Sequence, residues 1–161
     1  MIIALGIAAL AGIALITILI VAGPGWFGGG DESAPQKTVE KLLEAMEEKR
    51  ADVYLSLWTM GYKDMLQQMM EGMDYAGSME EFVDEMIFPY ESIRFEGMEY
   101  RTSIEGSRAT VEAVAGKLSI TGYEGEEYEA EITDPGDIYF ELVEYEGAWH
   151  VSKFWFFDMT L

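Results

Sequence analysis

Three patterns of apolar spacing follow one another along the chain. Ile2 to Ala22 is an unbroken apolar run with Thr17 as its single polar side chain. From Val39 the spacing becomes helical: Val39, Leu42, Leu43 and Met46 fall at i, i+3, i+4 and i+7, with Glu40, Lys41, Glu44, Glu47 and Glu48 on the other side. Ser33 suits an N-cap for this helix, with Pro35 in its first turn. A second short helix starts at Asp52 and carries Val53, Leu55, Leu57 and Trp58; Tyr62 to Met73 reads as a third. Ser78 followed by Glu81 is a capping box opening a fourth, with Met79, Phe82, Val83 and Met86 as its stripe and Pro89 its end.

After Pro89 the period changes to alternation. Ile93 and Phe95 open a strand, with Gly97 a candidate bulge before Met98 and Tyr100. Glu105-Gly106-Ser107 turns the chain into Val111, Ala113 and Ala115, which alternate with Thr110, Glu112 and Val114. Glu127, Glu129 and Glu131 face one way, Tyr128, Ala130 and Ile132 the other. Asp134-Pro135-Gly136 interrupts, Ile138, Phe140 and Leu142 resume an apolar face, and Glu146-Gly147 is a hairpin turn. The last strand runs from Trp149 through Val151 and Trp155 to Phe157. Helices first and strands second predict an α+β domain, with the helices packed on a four-strand antiparallel meander.

The apolar run is long enough for a membrane. As a helix, Ile2 to Ala22 spans about 31 Å, against a hydrocarbon core of about 30 Å. Its apolar residues face all directions, so it is not a surface-lying amphipathic helix. Gly6, Ala9 and Gly12 would permit close approach of a second helix. The rival is a cleaved signal and a secreted domain. Against it stand the missing basic n-region, an apolar run longer than a usual signal core, and Pro24 just beyond Val21-Ala22-Gly23. The expected organisation is a transmembrane helix over 1–23, a Gly/Pro linker over 24–35 and a folded domain over 36–161. Trp26 and Phe27 fall where an interfacial aromatic belt belongs. Lys37 is the first basic residue, so the positive-inside rule has little to act on. The domain is expected outside the cytoplasm on usual topology alone.

Charge narrows the partners. The chain has 161 residues, with 30 acidic and 10 basic side chains and a formal charge of −20, all of it at Asp31 or later. Such a surface repels nucleic acid and anionic lipid, so no nucleic-acid partner is expected. It suits solubility, cation attraction or a basic partner. The absence of cysteine excludes disulfides, thiolate metal sites and a cysteine nucleophile.

The opening helices read TVEKLLEAMEEKRADVYLSLW and the final hairpin IYFELVEYEGAWHVSKF, with the core F-x-L-V-x-x-x-G-x-W-x-V. This order resembles the nuclear transport factor 2-like superfamily, also called cystatin-like or SnoaL-like, over Gln36 to about Phe157. The resemblance implies a cone-shaped roll, in which a strongly bent antiparallel sheet wraps around the helices and leaves a pocket at one end. Some relatives are isomerases, dehydratases, cyclases or epoxide hydrolases; many others only bind ligands or partners. A bitopic subset, including inner-membrane assembly factors of type IV secretion, joins one transmembrane helix to this fold.

The enzymatic relatives use an Asp, Glu or His base, often with a Tyr. The residues of those types here are Asp64, Asp84 and His150, with Tyr54, Tyr62 and Tyr90. None aligns with an enzymatic motif. Asp64 and Asp84 read as solvated helix residues, and His150 as a surface or half-buried imidazole pointing away from Trp149 and Val151. Met65, Met69 and Met73 share a helical face; thioethers bind Cu(I), but methionine also fills irregular cores and adaptable binding grooves, this stripe has helical spacing, and no metal or cofactor is implied. Glu124 to Glu131 lacks a calcium loop. The last hairpin carries large side chains on both faces. Tyr139, Val143, Tyr145, Phe154 and Phe156 are assigned to a pocket or partner face, for a second copy or another protein. The leading expectation is a membrane-tethered binding or assembly domain without catalysis. The alternative is a pocket enzyme doing acid–base chemistry on a small apolar ligand.

Overall fold

A computed structural model of the chain describes residues 33–156. The apolar run over 2–22, the linker up to Glu32, Trp26, Phe27 and Phe157 lie outside the described residues. Among the described residues no helix is long and apolar enough to cross a membrane.

Among the described residues four helices precede five strands: α1 (Ala34–Glu47), α2 (Ala51–Ser56), α3 (Met60–Gly72), α4 (Met79–Met86), β1 (Ser92–Glu105), β2 (Arg108–Thr121), β3 (Glu127–Ile132), β4 (Ile138–Tyr145) and β5 (Ala148–Phe156). The α+β class stands. Ser33 caps α1, its hydroxyl accepting from Gln36 N–H, and Pro35 sits in the first turn. Because α1 begins at Ala34, the last two residues of the stretch read as linker are helical. Val39, Leu42, Leu43 and Met46 are all buried, so the helical period reports the packed face. The capping box of α4 is complete in both directions between Ser78 and Glu81.

The sheet has five strands and is not a meander. Its order is β1-β2-β4-β5, with β3 also on β2. The long strand β2 explains the count: Gly116–Thr121 pair with β3, while Arg108–Glu112 pair with β4. β3 and β4 therefore lie end to end along one edge of β2, and the turn at Asp134-Pro135-Gly136 carries the chain from one to the other.

Two irregularities face each other in the β1–β2 pair. Register shifts at Glu96/Glu99 and at Glu99/Tyr100, where Gly97 (φ 61°) sits on β1 and Gly116 (φ 142°) on β2. Each reverses the alternation of its strand. On β1 the core-side residues are Ile93 and Phe95 before the bulge, then Met98 and Tyr100 after it. On β2 they are Ala109, Val111 and Ala113, then Leu118 and Ile120. A bulge bends its strand and increases the local twist, and two opposed bulges keep apolar residues inward on both sides of the bend.

The core lies between the helices and the inner sheet face. Phe82, Phe88, Phe140, Leu42, Leu66, Leu118, Ile138 and Leu142 are its largest fully buried members. A parallel bridge between Trp58 and Val151, with Val151 N–H donating to Leu57 O and Thr59 N–H to Val151 O, pins the α2–α3 junction to the edge of β5.

Candidate functional site

The tyrosine candidates Tyr54 and Tyr62 belong to a cluster of packed aromatic side chains. Tyr54 from α2, Trp58 and Phe88 are buried, with Tyr62 half-buried beside them. Trp58 and Tyr62 stack with centroids 3.7 Å apart, and Tyr54 meets Phe88 edge-on at 5.3 Å. The Tyr54 and Tyr62 hydroxyls are 3.1 Å apart. Burial, then the neighbouring Tyr62, push the Tyr54 phenol far above its ordinary value, so it stays neutral at any physiological pH. Trp58 Nε1 is buried beside the Tyr54 hydroxyl and has no acceptor in hydrogen-bond geometry. Tyr90 is also buried; its hydroxyl donates to Met46 O.

Asp64 and Asp84 are exposed on α3 and α4. His150 is half-buried on β5, opposite Val143, and its Nδ1 has no partner. The structure does not bring Asp64, Asp84 and His150 into one cluster with Tyr54. Among the described residues no side-chain group has the donors to hold a metal ion.

The outer sheet face is the other candidate. Tyr139 and Trp155 lie opposite each other across β4 and β5 and stack, with centroids 6.4 Å apart and an interplanar angle of 22°. Lys153 Nζ sits 5.3 Å above the Tyr139 ring and donates to Glu141 at 3.3 Å. The Tyr139 hydroxyl and then Glu141 hold the Lys153 ammonium above its ordinary pKa. Tyr145 and Trp155 are 65% and 49% exposed, which leaves a large apolar area uncovered.

Phe154 departs from its assignment to this face. It stacks on Phe140 at 4.6 Å, with ring planes 11° apart, and packs against the core. The reason is a bulge: Glu141 pairs with Lys153 but Leu142 with Val151, so Ser152 is an extra residue. Alternation from Val151 is thereby displaced by one, turning Lys153 and Trp155 outward and Phe154 inward. Phe156 pairs with Ile138 at the strand end. No Gly or Pro marks the Ser152 bulge, so the sequence carried no local signal for it.

Beside the aromatic pair is a shallow depression of about 470 Å³, lined by Ser103, Arg108, Thr110, Glu141, Val143 and Ser152. A second, of about 280 Å³, lies near Arg94, Glu96, Lys117 and Glu129. Five of the ten basic side chains (Arg94, Arg101, Arg108, Lys117 and Lys153) lie at outward positions of the sheet, interleaved with glutamates. Lys117 donates to Glu129 at 2.7 Å, which raises its pKa. The face is therefore far less acidic than the rest of the molecule.

The methionine stripe of α3 lies outside the core. Met65, Met69 and Met73 are exposed, and Leu66 and Met70 are the buried residues of α3. Two parallel rows at i+4 spacing, Tyr62/Leu66/Met70 and Met65/Met69/Met73, run along this helix, and the first occupies the core.

No family model matches the chain, and no curated protein matches it. Among solved structures it is similar to a SEC-C motif containing protein from Rhodopseudomonas palustris, at 16% identity over 78% of this chain and 80% of that one, with a TM-score of 0.49. It is also similar to a protein of unknown function from Nostoc punctiforme, at 12% identity over 82% and 98% with a TM-score of 0.48, and to a function-unknown protein from Mycobacterium tuberculosis, at 11% identity over 89% and 72% with a TM-score of 0.43. The Nostoc punctiforme protein has a cystatin-like fold.

Proposed function

We propose that this chain is a membrane-tethered binding and assembly domain without catalysis, built as a nuclear transport factor 2-like roll. Its contact surface is the outer face of β4 and β5, and its partner is a second copy. The observation that carries this reading is the outward stack of half-buried Tyr139 on exposed Trp155, with exposed Tyr145 on the same hairpin. Aromatic side chains combine large apolar area with few rotatable bonds and dominate binding surfaces. The charge distribution supports a second copy: the outer sheet face interleaves lysine and arginine with glutamate, so two such faces related by a two-fold axis can pair opposite charges. The burial of Tyr54 among other aromatic side chains and the exposure of Asp64 and Asp84 favour binding over acid–base chemistry.

Light scattering coupled to size exclusion, on the full chain in non-ionic detergent, tests the partner. A dimer is expected, converted to monomer by Tyr145→Glu with Trp155→Glu. A strict monomer at high concentration would overturn the assembly reading. The tether, read from residues 2–22, is tested separately: the chain should remain with membranes after alkaline carbonate washing, and its release would remove the anchor.

A further inference from the structure

We propose that the exposed methionine row of α3 is a docking surface for a basic amphipathic helix of another protein. Met65, Met69 and Met73 are between 43% and 54% exposed on a helix that already buries a full apolar row of its own. These side chains are surplus to the core. Methionine is unbranched and polarizable, so a surface built from it adapts to the shape of an incoming helix. Such a helix is recognised by apolar side chains repeating at i, i+3, i+4 and i+7.

The charge around the row selects the sign of the partner. Residues 60–86 contain seven acidic side chains and one lysine, together with seven of the chain's eleven methionines. Asp64 and Glu71 are exposed on the same helix, and Glu80, Asp84 and Glu85 lie on α4, which packs against it. Burial, and then Glu85, Glu81 and Asp84, raise the pKa of the intervening Tyr75 hydroxyl, as expected where carboxylates crowd one place. A second copy would bring the same negative surface against itself, and an anionic bilayer would be repelled. A helix with lysine or arginine flanking an apolar stripe satisfies both the thioethers and the carboxylates. This surface lies on the helix layer and is separate from the sheet face.

The probe is a fluorescently labelled peptide of about 18 residues with leucine at i, i+3, i+4 and i+7 and lysine elsewhere. A second peptide replaces every lysine by glutamate. Binding is measured by anisotropy to the full chain in phosphatidylcholine nanodiscs, with empty discs subtracted. The lysine peptide is expected to bind and the glutamate peptide not. Met65→Ser with Met69→Ser and Met73→Ser, all at exposed positions, should weaken the lysine peptide by about tenfold or more while the circular dichroism spectrum is kept. Equal affinity of the triple variant, or equal binding of the two peptides, would overturn the proposal. Should that variant lose its fold, the parent gives an independent answer. Methionine-methyl resonances of Met65, Met69 and Met73 should shift on titration, and shifts confined to Met46 or Met98, or none at all, would overturn it.

Discussion

Tyr139 and Trp155 stack on the outside of the β4–β5 hairpin directly behind the Phe140–Phe154 stack on its inside. One hairpin thus carries two aromatic pairs, one per face, made possible by the extra residue at Ser152. The pairs should respond differently to truncation. Phe140→Ala removes a fully buried ring and is expected to cost about 3–5 kcal/mol in urea unfolding. A double-mutant cycle on Tyr139→Ala and Trp155→Ala should return a coupling of only about 0.5–1.5 kcal/mol, the range for an aromatic pair beyond its area burial.

Among the described glycines Gly116 meets the closest backbone atoms. A Cβ there would stand 2.5 Å from Met98 Sδ, 3.1 Å from Met98 Cα and 3.3 Å from Glu96 O, at φ 142°. The thioether can move aside, but the backbone atoms cannot. Gly116→Ala is therefore expected to destabilise by about 1–3 kcal/mol, read as a lower urea midpoint. Gly61 is the opposite case. It is helical, exposed and open on all sides, so Gly61→Ala should stabilise by about 0.5–1 kcal/mol.

Alkaline pH should unfold the domain. Burial raises the pKa of Tyr54, Tyr90 and Tyr100; Tyr62 adds to it at Tyr54, Tyr123 and Glu47 at Tyr90, and Glu40 and Glu47 at Tyr100. The native state then keeps protons that the unfolded chain releases above about pH 10. Stability from these phenols is complete below that value and falls as pH rises beyond it. The melting temperature should drop above about pH 10, with tyrosinate absorbance rising in the same transition. Tyr54→Phe should flatten this limb, at a cost near neutral pH of about 1 kcal/mol for the lost contact with Tyr62.

Lys49 latches three segments together. It follows α1 at φ 52°, donates to Tyr90 O and to the Tyr123 hydroxyl at 3.2 Å, and lies over both rings at 5.3 Å and 5.1 Å. Lys49→Met keeps the stem and removes the charge. It should cost about 0.5–2 kcal/mol and speed amide hydrogen exchange in the β2–β3 connection around Tyr123, while α4 exchange stays unchanged.

The elements were legible because each kind of periodicity has a direct cause. Ser33, the Ser78–Glu81 box and Gly97 marked their places through chemistry that few other residues can supply. What escaped the sequence was which of two equivalent choices tertiary packing takes. On α3 both rows have the same spacing, and only the number of layers decides that Leu66 and Met70 go in and Met65 and Met69 stay out. The pairing of β3 and β4 with one strand depends on the length of β2, which alternation does not report. Phe154 was placed on the outward face because a bulge built from Ser152 has no signature residue. Of the candidate site, the outward Tyr139, Val143 and Tyr145 were legible, and the packing of Tyr54, Trp58 and Tyr62 against one another was not.

The opposed bulges at Gly97 and Gly116 work like paired frameshifts in a reading frame. Removing one residue from the β1 bulge alone would bring Ile93, Phe95, Met98 and Tyr100 into one unbroken alternation but leave the extra residue of β2 without a counterpart, so the two strands would differ in length by one residue between the bend and the Gly106 turn. Removing a residue from both strands would restore equal lengths but straighten the sheet. Length changes at this bend should therefore be tolerated only in matched pairs, so the indel history of the two strands is coupled even where their side chains are free to vary.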